Sequence, residues 1–257
     1  MRITLFFAVA LGLCWLSLLP ACLARFGVLP GSPEQYMGLA PLAVFSPLIA
    51  GLIASRKEAG AEGMRSLMRG LKDWHVHPIW FLLALVLPGL VYTSARGLYA
   101  LIPGNTGDAP WLGLPADAQQ VAAMFLVPIG EEIGWRGYAL PRLQARHGSI
   151  RASLILGALW ALWHVPMLTA SGMTLATGSL MLVSFLPGSL FFTWFYNRTG
   201  GSTLLAVLLH VGAHLDSPAH VTPTTTTSIL LYTLGYFGVA AALVLLDRRG
   251  FDGPKRG

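Results

Sequence analysis

Eight apolar runs, at residues 3–23, 37–54, 78–95, 121–138, 152–167, 175–196, 203–215 and 228–246, occupy most of this 257-residue chain. A segment that enters hydrocarbon must satisfy its own backbone hydrogen bonds, and for continuous apolar runs the solution is the helix. A spanning helix needs about 20 apolar residues. The fifth and seventh runs fall short of that and are expected to tilt, to extend at their ends or to lie centrally, away from lipid. The expected fold is therefore all-α: a polytopic integral-membrane bundle of about eight transmembrane helices, a single membrane domain over 1–257. Composition supports this, with 54% hydrophobic and only 11% charged residues, where a soluble globular domain carries roughly 25% charge. No internal repeat and no linker to a separate soluble domain is visible.

The net charge of +6 lies in short loops rather than in a stripe or patch. This excludes nucleic acid as the natural partner and makes membrane lipids the default one. The basic residues are Arg56, Lys57, Arg65, Arg69 and Lys72 after the second run, then Arg142, Arg146 and Arg151 after the fourth. Arg198 follows the sixth, and Arg248, Arg249, Lys255 and Arg256 follow the eighth. With eight spans all these loops share one side, which the positive-inside rule makes cytoplasmic, and both termini with it. The expected location is a bacterial-type cytoplasmic (inner) membrane, crossed several times. Cys14 and Cys22 both fall in the first run and define neither a disulfide framework nor a CxxC metal site. "LLPAC", ending at Cys22, has the look of a lipoprotein leader, but the length of the run, the single preceding Arg2 and Pro20 suit a spanning helix better. "GMRSLMRGLKDW", between the second and third runs, reads as a helix on the membrane surface or as a solvated loop.

The stretch "PIGEEIGWRGYALPRL", residues 128–143, places two glutamates and an arginine inside an apolar segment. Glu132 and Arg136 are four apart and face the same way on a helix, so they can pair. Glu131 is displaced by about 100° and is left to face a cavity. That spacing suggests one working carboxylate and one structural one. Gly130, Gly134 and Gly137 offer small surfaces for close approach of a neighbour. The competing reading is an ion pair near a helix end that snorkels to the interface and carries no chemistry. Ionisable groups at membrane depth are functional candidates by default, and three histidines strengthen that choice. His164 lies in "GALWALWHVP"; His210 and His214 lie in "LLAVLLHVGAH", four apart on one face.

The ordered set resembles the CPBP family, the CAAX prenyl endopeptidases and the bacteriocin-processing or self-immunity proteins known as Abi-type intramembrane proteases. The family's EExxxR motif is matched by Glu131, Glu132 and Arg136, and its FxxxH motif by Trp160 and His164, with Trp for Phe. The third motif, Hxxx and then usually Asn, is matched by His210 with His214 in the Asn position. The resemblance covers about 118–215, the motif-bearing core; the first hundred residues match only in being apolar. It implies an intramembrane endopeptidase in which Glu131 activates a water and His164 helps to position or deprotonate it. It further implies that His210 and His214 stabilise the oxyanion, and that Glu132, Arg136 and Trp160 give structural support. Its substrate would be a peptide bond of a membrane-associated or lipidated peptide or protein.

Two questions stay open at this level. His214 in place of Asn makes Glu131, His164, His210 and His214 a conceivable zinc or other divalent-metal set, since imidazoles and a carboxylate are ordinary ligands; a metal-independent glutamate peptidase stands equally. The alternative function is non-catalytic: an immunity or partner-binding membrane protein, or a transporter whose buried Glu and His relay protons. His75, His77, His147 and His220 are expected at interfaces or in solvent. Trp160 and Trp163 either line a substrate groove or fill the core.

Overall fold

The computed structural model describes residues 2–104, 115, 117–215 and 225–254; within them there is no strand. The order is α1 (Arg2–Arg25), a 3-10 segment Pro33–Leu39 leading into the short α2 (Ala40–Val44), α3 (Ser46–Arg69), α4 (Ile79–Ala100) and α5 (Ala118–Glu132). A π-helical stretch, Ile133–Ala139, joins α5 to α6 (Leu140–His147). Then come α7 (Ser149–Ala170), α8 (Leu175–Arg198), α9 (Thr203–Leu215) and α10 (Thr226–Leu246). The helical bundle expected from the hydropathy is therefore what forms.

Among the described residues, six segments are long and apolar enough to cross a membrane: Arg2–Arg25, Pro33–Lys72, Ile79–Ala100, Ser149–Ala170, Leu175–Arg198 and Thr226–Leu246. The remaining two expected runs differ in a way that bears on function. The 13-residue α9 is wedged against both α4 and α5, and α5 in turn lies against α3 and α9. Short helices need no match to bilayer thickness when other helices surround them, and the buried ionisable residues Glu131, Glu132 and His210 lie on these two.

Glycine permits the close packing. A Cβ on Gly134 would collide with the Pro47 carbonyl of α3, and one on Gly212 with the Ala84 carbonyl of α4. The small residues around the Glu pair thus do what their spacing suggested: they let α3 approach the backbone of the charged segment.

The stretch after the second run is helical rather than a loop, with Leu67 buried on one face and Arg65, Ser66, Met68 and Arg69 exposed on the other. The helix breaks at Ala59 (φ −145°, ψ 27°) and Gly60 (φ 59°, ψ −140°), and the second half of α3 turns back along the first. Gly63 comes up against the Ser55 carbonyl, and buried Leu67 lies 3.3 Å from where a Gly51 Cβ would stand. The positive φ at Gly60 is a conformation that other residues adopt at a steric cost.

Polar contacts gather at one end of the bundle. Arg2 donates to the Glu58 carbonyl (3.2 Å), and the Glu58 carboxylate accepts from Tyr138 (2.6 Å) and Arg142. Gln144 bonds Asn197 (2.9 Å), and Asn197 donates to the Gly250 carbonyl (2.9 Å). Arg198 holds Asp247 (Nε–O 2.7 Å), and these hydrogen bonds keep the Asp247 carboxyl below its usual range. The stretches that follow the second, fourth, sixth and eighth apolar runs, which carry most of the basic residues, are thereby tied together at one pole.

Candidate active site

The charged segment sits inside the protein: Glu131, Glu132 and Arg136 are 2%, 0% and 0% exposed. Counting from the start of α5, Glu131 is about 20 Å along the helix axis, taking 1.5 Å per residue, and so lies deep between the two ends. The snorkelling alternative is therefore excluded. Arg136 Nη1 donates to Glu132 Oε1 at 2.7 Å, the pairing that the four-residue spacing demanded. Its guanidinium also lies over the rings of Trp160 and Phe192, 4.3 and 4.4 Å from the centroids, so its charge is met by a carboxylate and two aromatic faces.

Glu132 has a second partner that the sequence did not suggest. His210 Nδ1 lies 2.8 Å from the same Oε1, so α9 is joined to the charged segment through one carboxylate oxygen. An ionised carboxylate only accepts, hence Nδ1 carries the proton and Nε2 is left facing other chemistry. Glu132 is therefore the structural carboxylate, holding Arg136 on its own segment and His210 on another.

Glu131 is the other kind. It lines a cavity of about 310 Å³ together with His164, His210 and His214, the walls being completed by apolar side chains of α5 and α7 such as Met124, Val127 and Met167. One of its oxygens, Oε2, accepts the indole N–H of Trp160 at 2.8 Å. Trp160 lines the site beside His164 (ring centroids 5.7 Å apart) and, through that indole bond, orients Glu131. Trp163, by contrast, is core: fully buried, bonded to Ser46 (2.9 Å) and set edge-on to Trp135.

His164 donates from Nδ1 to the Trp160 carbonyl (2.9 Å), since a carbonyl can only accept, which leaves Nε2 as its basic nitrogen. Its ring stacks on Phe185 at 4.1 Å, which restrains it between α7 and α8. His214 stacks on His210, centroids 4.9 Å apart and planes 10° from parallel. The four residues singled out for catalysis thus share one cavity. His75 stays at the exposed edge beside Trp74, and His147 is exposed; His220 lies outside the described residues.

The metal question takes a definite form. Among the described residues, the group whose ligand atoms all lie within 4.8 Å of one another is Glu131, Glu132 and His210, not the set drawn from the sequence. By donor type and distance this trio could hold a metal ion. Its disposition argues the other way: Glu132 Oε1 is already shared by Arg136 and His210, and the guanidinium sets a full positive charge beside any ion placed there. The near-parallel histidine rings also aim their in-plane lone pairs along separate planes rather than at one point. Glu132 Oε2 is buried without a hydrogen-bond partner, so any fit of this trio to a metal rests on that oxygen and on Glu131.

Comparison with known proteins agrees with the motif reading. Residues 117–215 match the family model described as "Type II CAAX prenyl endopeptidase Rce1-like". A curated relative, CAAX prenyl protease 2 of Methanococcus maripaludis, is 30% identical over 142 residues, which is 51% of this chain and 52% of that protein. The chain thus matches about half the length of that relative. The matched segment, residues 117–215, includes Glu131, His164, His210 and His214 of the cavity, so the likeness to Rce1-like endopeptidases falls on the part of the chain that builds the site.

Proposed function

We propose that this protein is an intramembrane endopeptidase that hydrolyses a peptide bond of a membrane-associated or lipidated peptide or protein, as the name of its relative suggests for that protein. The observation that carries the reading is the division of labour between the adjacent glutamates: one oxygen of Glu132 is shared by Arg136 and His210, while Glu131 faces a cavity that it shares with three histidines.

The chemistry follows from the atoms left over. With Oε2 held by Trp160, the other oxygen of Glu131 takes a proton from a water in the cavity, and that water's oxygen attacks the substrate carbonyl carbon. His164, basic at Nε2, orients the water by accepting its second hydrogen. The oxygen that becomes negative is stabilised by His210, which donates at Nε2 in its doubly protonated form with Glu132 as counter-charge, and by His214 beside it. The proton on Glu131 then passes to the leaving nitrogen as the C–N bond breaks, giving a carboxylic acid and an amine. Two carboxylates and one guanidinium leave one negative charge, which the proton on His210 balances. The set is complete without an ion, and we propose metal-independent catalysis.

The hydrolytic site lies within an inner-membrane, multi-pass protein whose basic pole and termini face the cytoplasm, in line with the charge of the loops. The test is cleavage of a membrane-anchored peptide by detergent-purified protein. Glu131→Gln loses at least about a hundredfold in rate, the usual contribution of a positioned base, while the helical content and melting temperature stay at the wild-type values. Excess chelator leaves wild-type cleavage unchanged, and no stoichiometric zinc is found. Cleavage surviving in Glu131→Gln would remove the assignment; chelator-sensitive cleavage by zinc-bearing protein would replace the water-activating pair by a metal at the Glu131, Glu132 and His210 trio. Proton-coupled flux without any peptide product would support the transporter reading instead.

A further inference from the structure

The three histidines line not one cavity but two. Besides the cavity between α5, α7 and α9, a second one of about 170 Å³ opens on their other side, among α7, α8, α9 and α10. His164, His210 and His214 form the partition between them. A peptide whose scissile carbonyl rests at the histidines therefore has one flank toward each space.

The second cavity is walled by Trp160, Phe185, Phe192, Tyr232 and Tyr236. Part of its lining is a backbone without a side chain, Gly188 of α8, which is buried yet has nothing within 4 Å of where a Cβ would stand. Gly157, on the facing α7, is different: a Cβ there would come within 2.8 Å of the Phe185 carbonyl, so contact between helices requires glycine. Gly188 has no such constraint and no positive φ. A glycine inside a helix is less stable there than alanine, and what it leaves in return is room beside the histidines.

We infer that this second cavity is a subsite for one apolar side chain, aromatic or branched aliphatic, of the residue next to the scissile bond, and that Gly188 sets the size it accepts. The inference rests on the peptidase reading above. Size selects the occupant: an apolar cavity of about 150 Å³ holds a benzene ring, so this one takes a single ring or branched chain, whereas a long lipid tail needs the larger space on the α5 side. The polar chemistry agrees, because the walls offer aromatic faces and no charge apart from the histidines of the partition.

The experiment compares wild type, Gly188→Ala, Gly188→Leu and Glu131→Gln on membrane-anchored peptides that differ only in the residues flanking the cleaved bond, from Ala through Leu to Phe. Gly188→Ala is expected to fold at least as well as wild type. Gly188→Leu is expected to lose about 10–200-fold in kcat/KM for the peptides with Leu or Phe at one flanking position, the range for a few methylenes in a pocket, and to stay within about threefold of wild type for the Ala peptide. Cleavage that depends on Glu131 but falls equally for all peptides, or for none, in Gly188→Leu overturns the subsite and leaves the peptidase standing. A lipid tail as the occupant would give that uniform loss. If cleavage is absent or ignores Glu131, the peptidase reading fails by itself, and the subsite is judged by binding of the same peptides: a size-dependent loss of affinity in Gly188→Leu sustains it, and its absence overturns it.

Discussion

At the scale of single residues, the two adjacent glutamates answer to different tests. Removing Arg136 or Glu132 leaves an unpaired charge in a place without water, and breaking a buried pair in this way costs about 3–5 kcal/mol. Arg136→Ala and Glu132→Ala should therefore lower the denaturation midpoint in detergent as well as activity, whereas Glu131→Gln should leave the midpoint in place. Equal midpoints for all three would show that Glu132 and Arg136 are not the scaffold. Trp160→Phe is the finer probe. It keeps the aromatic wall, and the natural family residue at that position, but removes the N–H that holds Glu131 Oε2. The expected outcome is a fall in kcat of about tenfold to a hundredfold with KM little changed, since a hydrogen bond to a charged group is worth about 1.5–3 kcal/mol. Of this site, the Glu132–Arg136 pair was legible from spacing because both partners sit on one segment. The His210–Glu132 bond joins residues 78 apart in sequence and depends on how α9 docks, which no local pattern encodes. The indole bond of Trp160 depends on a rotamer, and Trp at that position read only as an aromatic surface.

At the scale of elements, the run 118–147 shows most clearly where hydropathy stops informing. It predicted one helix over 121–138; the chain instead makes α5, a π-helical stretch and α6. A π-helix forgoes good backbone hydrogen bonding, and such turns are frequent at functional sites. Here it begins at the residue after Glu132 and carries Arg136, placing the guanidinium over Trp160 and Phe192. The same stretch is held at Gly134 by the Pro47 carbonyl of α3. Gly134→Val should thus force α3 away and destabilise by about 1–3 kcal/mol, the usual cost of overpacking, with activity lost in proportion to folding. A Gly134→Val protein with wild-type stability would mean that the α3 contact is not what seats the charged segment. The doubling back of α3 at Ala59–Gly60 was likewise hidden, although its sign was present in the sequence: "EAGAEG" sets two glycines and two alanines at the point where the apolar character ends.

At the scale of the whole molecule, the charge pattern and the contact pattern make the same statement by independent routes. The stretches after the second, fourth, sixth and eighth apolar runs were grouped from the sequence by assuming eight crossings; the bonds from Glu58 to Arg142, from Gln144 to Asn197 and from Asn197 to Gly250 bring them to one pole without any such assumption. A pole with this excess of Lys and Arg is retained on the cytoplasmic side during insertion. The prediction is direct once Cys14 and Cys22, which donate to the Trp163 and Pro166 carbonyls, are replaced by serine, which can make the same bonds. Single cysteines at the exposed positions Lys57, His147 and Arg248 should be silent to a membrane-impermeant thiol reagent on intact cells and react after permeabilisation, while Ser171→Cys and Thr226→Cys at the other pole should react at once. The opposite labelling would invert the protein in the membrane while leaving the site intact, because the Glu131 cavity is built wholly from contacts among helices. Labelling of both sets from outside would break the single-pole arrangement, and with it the eight-crossing reading of the chain.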